Sequence, residues 1–158
     1  MTRFRIEGDG IEVGLDPAEL EIMARLATLL ESQASDRRDP ASDAVDAPLY
    51  PDDAVASREF ARFAARERNQ SRALDRERFT KRLDEMKSGS ILLGDADAAA
   101  WARVLAEARV SLAARHGLFD QGLPEDGSIT TDTALIVLLG HVQGDLIAVM
   151  LEKMEDAE

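Results

Sequence analysis

Thirty consecutive residues, Arg58 to Lys87, carry ten basic side chains (Arg58, Arg62, Arg66, Arg68, Arg72, Arg76, Arg78, Lys81, Arg82 and Lys87) and six acids. The segment nets +4 in a protein of formal charge −12, which leaves −16 on the remainder. Phe60, Phe63 and Ala64, then Leu74, Phe79, Leu83 and Met86, recur at helical spacing, so the segment reads as one long amphipathic region starting near Asp52 or Asp53. Pro51 and the two acids after it suit a helix start, where the dipole favours negative charge. The apolar stripe lapses through Arg66-Glu67-Arg68-Asn69-Gln70-Ser71, which predicts a kink, a break or a solvent-crossing stretch. Such a helix can bury only its narrow apolar side.

The other segments must supply the core. In 158 residues, 45% are hydrophobic and only 4% aromatic, so that core is built from Ala, Leu, Val, Ile and Met and favours closely packed helices. Phe4 and Ile6, the Gly8-Asp9-Gly10 turn, then Ile11, Val13 and Leu15 predict an N-terminal β-hairpin. Asp16-Pro17-Ala18-Glu19 opens a first helix running to about Gln33, with Glu19 three residues after its cap. Ile91-Leu92-Leu93, between helices, predicts a third strand paired with the hairpin. Asp95 or Asp97 caps a helix carrying Trp101, Leu105, Ala108 and Leu112 and stopping at His116-Gly117. The last helix begins near Thr131-Asp132 and is apolar on most of its circumference, the mark of a central helix or a subunit interface. The fold class is mainly α: a four- to five-helix bundle with a small N-terminal hairpin or three-stranded sheet, in one domain over 1–158. A polar stretch at about 35–47 is read as a mobile loop.

Arg58, Arg62 and Arg66 repeat every four residues, as do Arg72 and Arg76, and present guanidinium groups along a helical face. That face is either a docking surface for an acidic protein or phosphates, or a solvated face laced with Glu and Asp pairs. Nucleic acid is disfavoured, since a sequence pI near 4.6 repels a phosphate backbone. Gly140 and Gly144 form a Gly-x-x-x-Gly that permits close helix approach, either within the chain or to a second copy. His141 and Asp145, four residues apart, read as a histidine bonded to its neighbour and not as a metal site, with only His116 to join them. No nucleophile elbow, P-loop or dinucleotide-binding glycine pattern occurs, so no catalytic residue, metal or cofactor is expected. The stretch Ala134 to Leu151 is interrupted by His141, Gln143 and Asp145, which argues against a membrane span, and the N-terminus lacks the pattern of a secretory signal. A cytoplasmic location follows as an expectation.

Gly14-Leu15-Asp16-Pro17-Ala18-Glu19 within Phe4 to Leu30, Leu49-Tyr50-Pro51-Asp52-Asp53 with Ser57-Arg58-Glu59-Phe60, Arg68 to Phe79, and Gly94-Asp95-Ala96-Asp97 through Trp101 to Leu118 follow one another along the chain. Taken in that order, these segments resemble an actinobacterial domain-of-unknown-function family associated with AosR-type oxidative stress transcriptional regulators. The residues themselves supply the expectation of a cytoplasmic location and of no enzymatic activity; the resemblance implies a regulatory protein that contacts a partner protein, in that family the transcription machinery. It also implies a thiol sensor built from a cysteine pair, and here the chain departs from it, because it has no cysteine. Two other readings stay open: direct nucleic-acid binding through 58–82, and an accessory role in protein turnover. A homodimer through the last helix accompanies the main reading.

With no cysteine present, diamide or peroxide should leave partner binding unchanged apart from slow oxidation at the five methionines. Capture of the partner before and after treatment measures this, and a rapid change reversed by a thiol reductant would contradict it.

Overall fold

The computed structural model describes residues 2–35, 52–115 and 131–158; the side chains at 33–35, 61–63, 65–66 and 131–132 lie outside that description. The loop expected at 35–47, the Leu49-Tyr50-Pro51 anchor and the His116-Gly117 stop fall largely or wholly outside it too. The fold is mainly helical, with a small three-stranded antiparallel sheet at its N-terminal end.

Strands β1 (Phe4–Glu7) and β2 (Gly10–Val13) pair antiparallel, from Phe4 opposite Val13 to Glu7 opposite Gly10. This register leaves a two-residue loop, Gly8-Asp9. Gly8 has φ +58° while Asp9, like every other non-glycine residue among the described ones, does not have positive φ, the pattern of a type II′ hairpin turn. Strand β3 (Ile91–Leu93) adds to β2 antiparallel, Val13 facing Ile91, so the order is β1-β2-β3. The period of two puts Phe4, Ile11, Val13, Ile91 and Leu93 on one buried face. On the other face Arg5 reaches across to Glu12 at 2.5 Å and Leu92 is exposed.

Helix α1 (Pro17–Ser35) opens with the reciprocal cap predicted from sequence: the Glu19 N–H donates to Asp16 Oδ1 at 2.8 Å and the Asp16 N–H to Glu19 Oε2 at 3.1 Å. Helix α2 (Ala54–Met86) is capped by Asp53, whose carboxylate accepts from the Val55 and Ala56 N–H groups. Its 33 residues run as one helix through 66–71, so of the three outcomes open there the break does not occur. Ala, Arg, Glu and Gln are good helix formers, and their propensity carries the backbone where apolar contact lapses. Helix α3 (Asp95–Arg115) starts one residue after Gly94, whose carbonyl accepts the Ala98 N–H at 2.9 Å. Asp95 and Asp97 therefore occupy the first turn and not the cap, which frees both carboxylates for other helices. Helix α4 (Thr131–Asp156) completes the described chain.

Helix α3 is the hub, packed by α2 on one side and α4 on another, with the sheet closing one end. Trp101, fully buried, meets Phe79 of α2 with ring centroids 4.8 Å apart at 59°, a tilted aromatic pair. Met23, Leu26 and Leu30 of α1 and Leu139, Val142 and Leu146 of α4 join the same core. The indole N–H of Trp101 has no acceptor among the described residues, so its contribution is packing. Trp101→Ala should lower unfolding free energy by about 3–5 kcal/mol in urea titration, the cost of a large cavity.

Candidate functional site

The basic helix divides into two halves. Toward its C-terminus, α2 is joined to α3 by an antiparallel series of ion pairs flanking the Phe79–Trp101 contact. Asp75, almost buried, takes a bidentate pair from Arg103, Nε to Oδ2 at 2.7 Å and Nη2 to Oδ1 at 2.9 Å, which raises the guanidinium above its ordinary value. Arg76 donates to Glu107 at 2.8 Å, and both side chains are close to buried. Arg78 and Arg82 both reach Asp97 at the start of α3, at 3.4 and 3.5 Å. Arg82 also donates to Glu85 and to the carbonyl of Leu92, tying α2 to the strand β3.

Toward its N-terminus none of the side chains described between Asp52 and Leu74 is buried as a whole, although the Nε of Arg68 is shielded from solvent. Arg58 lies exposed, with Nε donating back to the Ala54 carbonyl at 3.2 Å. Arg62 and Arg66 belong to this half by their place in α2, and their side chains lie outside the described residues. Arg72 stands at the junction, close enough to Glu107 to pull its carboxyl down. The five candidate arginines are thus not equivalent. Arg76 is held in the seam, Arg72 borders it, and Arg58 is on the exposed half.

At Glu107 burial and charge act in opposite directions. Burial pushes its carboxyl up, against the lowering pull of Arg76 and then Arg72. Near-buried ion pairs of this kind fix helix register more than they add net stability, because desolvation offsets much of the attraction.

On α4 the two glycines also differ. A Cβ at Gly140 would come 3.5 Å from the Arg109 guanidinium of α3, whereas a Cβ at Gly144 would meet nothing within 4 Å. Asp145 does not bond to His141 as expected: its carboxylate accepts from Arg3 at 2.8 Å, and Arg3 also holds Glu19 at 2.7 Å. His141 stands exposed. Arg3, the residue before β1, reaches Asp145 in place of the helical neighbour.

An open groove of about 990 Å³ between α1 and α2 is lined by Glu31, Arg76, Thr80, Lys81, Asp84 and Glu85. Its acids and bases lie side by side, with no histidine among them to poise a proton transfer near neutral pH. Among the described residues no three His, Cys, Asp or Glu side chains gather as they would around a metal ion.

The site that emerges is a charged helix face, half fixed and half presented, on a helical protein with a small sheet. A family model for a domain of unknown function, DUF2017, matches residues 1–150, and the chain belongs to that family. No curated protein and no solved structure matches it.

The direction of the Glu107 shift sets a pH dependence. A carboxyl raised in the folded state binds its proton more readily there than in the unfolded chain. Its contribution is therefore fully present below its ordinary value of 4.5 and is lost as pH rises through the folded value. Glu107→Gln removes that loss. Relative to the parent, the variant should gain stability as pH rises from about 4.5 to 7, measured by urea titration at several pH values; an unchanging difference would contradict the shift.

Proposed function

We propose that this is a non-enzymatic, cytoplasmic regulatory protein that acts by binding an acidic partner protein through the N-terminal half of α2. The observation that carries this reading is the division of one basic helix into two halves. Arg76, Arg78 and Arg82 are engaged by α3 and the sheet, while the half carrying Arg58, Arg62 and Arg66 buries none of its described side chains. A helix held firmly at its C-terminal end and carrying an exposed arginine, Arg58, toward its other end suits complementary docking. The family resemblance on Leu49 to Phe60 and Gly94 to Leu118 favours a partner in the transcription machinery, as in the AosR-type regulators, with an input other than a cysteine pair.

The test is a triple reversal, Arg58→Glu, Arg62→Glu and Arg66→Glu, which avoids the seam. Exposed helix charges are worth about 0.3–0.5 kcal/mol each, so thermal unfolding should stay within a few degrees of the parent. Capture of the native partner from the host should be abolished, since like charges across an interface cost several kcal/mol. A stable variant that still captures the partner would place the binding surface elsewhere. Binding to duplex DNA that weakens by roughly one log unit per log unit of salt for each phosphate neutralised would favour the nucleic-acid reading instead.

A further inference from the structure

Helix α4 is long and apolar enough over Thr133–Asp156 to cross a membrane, yet only 17% of that stretch is buried inside the protein. Its inner side is accounted for by Leu139, Val142 and Leu146 in the core. Its outer side carries Val137, Ile147, Leu151 and Met154 at 49%, 39%, 55% and 66% exposure. Large apolar side chains exposed along one side of a helix, here with His141 and Gly144 between Val137 and Ile147, mark a contact surface.

We propose that the strip binds α4 of a second copy of this chain, antiparallel, about a two-fold axis passing beside Gly144. A two-fold contact demands a surface complementary to itself, each residue meeting the counterpart of the one it faces. The exposed residues Val137, His141, Gly144, Ile147 and Leu151 satisfy this along the helix. Counted from Gly144 they fall at −7, −3, 0, +3 and +7, so the spacing reads the same in both directions. Turning one copy end for end brings Val137 of each level with Leu151 of the other, a smaller side chain beside a larger one.

Gly144 lies on the side of α4 opposite the buried Val142 and Leu146, at the middle of the strip, with open space where a Cβ would stand. Two backbones can approach there most closely. Gly140 does not share that role, since it faces Arg109 within the chain.

Charge selects the antiparallel sense. Glu152, Glu155 and Asp156 crowd the C-terminal end of α4, where its own dipole is negative, and the one base in that last turn, Lys153, is held by Asp95 at 2.6 Å. In an antiparallel pair Glu155 comes level with Thr133 of the other copy, near the positive end of that helix. A parallel pair would place the acids of both copies together. A bilayer is the poorer occupant, because α4 is fastened to the body through Asp145 to Arg3 and Lys153 to Asp95. This pairing is independent of the basic arm on α2.

Sedimentation equilibrium of the full chain should give twice 17.3 kDa. Gly144→Glu, at an exposed position with free space, should keep the helical spectrum and raise the dissociation constant by about 100-fold or more. Because the chain has no cysteine, single cysteines report the direction of pairing. With a short bis-maleimide linker, Gly144→Cys should cross-link to itself. Val137→Cys should not, since 14 residues of helix separate it from its counterpart's level by about 21 Å, yet it should cross-link to Leu151→Cys in a mixture. Three results would overturn the proposal: a monomer at all concentrations, Val137→Cys cross-linking to itself and not to Leu151→Cys, or co-flotation of the parent with phosphatidylcholine vesicles in place of dimer formation.

Discussion

The Phe79–Trp101 contact is the fixed point of this fold, because it is where the most polar helix of the chain meets the helix on which everything else packs. On either side of those rings the charges of α2 find partners on α3, Asp75 with Arg103 and Arg76 with Glu107 in one direction, Arg78 and Arg82 with Asp97 in the other. Aromatic packing supplies attraction without direction, and the ion pairs supply direction. A slide of one helical turn would leave Asp75 and Glu107, both nearly buried, without their bases. The seam thus sets the register of α2, and through the Arg82 bond to the Leu92 carbonyl it sets how the sheet meets the helices.

Fixing one half of α2 has a consequence for the other half. Thirty-three residues make a rod of roughly 50 Å, and the seam grips only its C-terminal part. The remainder buries none of its described side chains as a whole, and its far end is closed by the Asp53 cap. On that half Arg58 is exposed, while Arg68 and Arg72 are half-buried.

Local chemistry was legible in the sequence. The Gly8-Asp9 turn, the Asp16-to-Glu19 cap, the third strand and the positions of Trp101 and Phe79 in the core are each dictated by a few neighbouring residues with a strong backbone or burial preference. What depended on long-range pairing was not. Arg72 and Arg76 read as one repeat, yet the four-residue spacing of Arg103 and Glu107 on another helix is what draws Arg76 inward. Helical proximity points Asp145 to His141, although Arg3, 142 residues away, claims it. Asp95 and Asp97 looked like caps, while Gly94 precedes the helix and leaves them for Lys153 and for the arginines of α2. Ionic partners across helices leave no periodic signature in either helix alone.

The two exposed features of the molecule are separated by the hub. Helices α2 and α4 each pack on α3 and scarcely on each other, so the basic arm and the apolar strip lie on different flanks of one helix. Charge sorts them further, because ten bases sit between Arg58 and Lys87 while the end of α4 is acidic. A pair of chains joined along α4 would bury the strip and leave both arms outward, far from the joint. Each copy would then offer one basic arm, and a partner with two acidic segments could engage both, gaining through effective concentration what a single exposed arm cannot supply. Closing the apolar flank and presenting the charged one are therefore compatible within a single assembly, because α3 insulates one surface from the other.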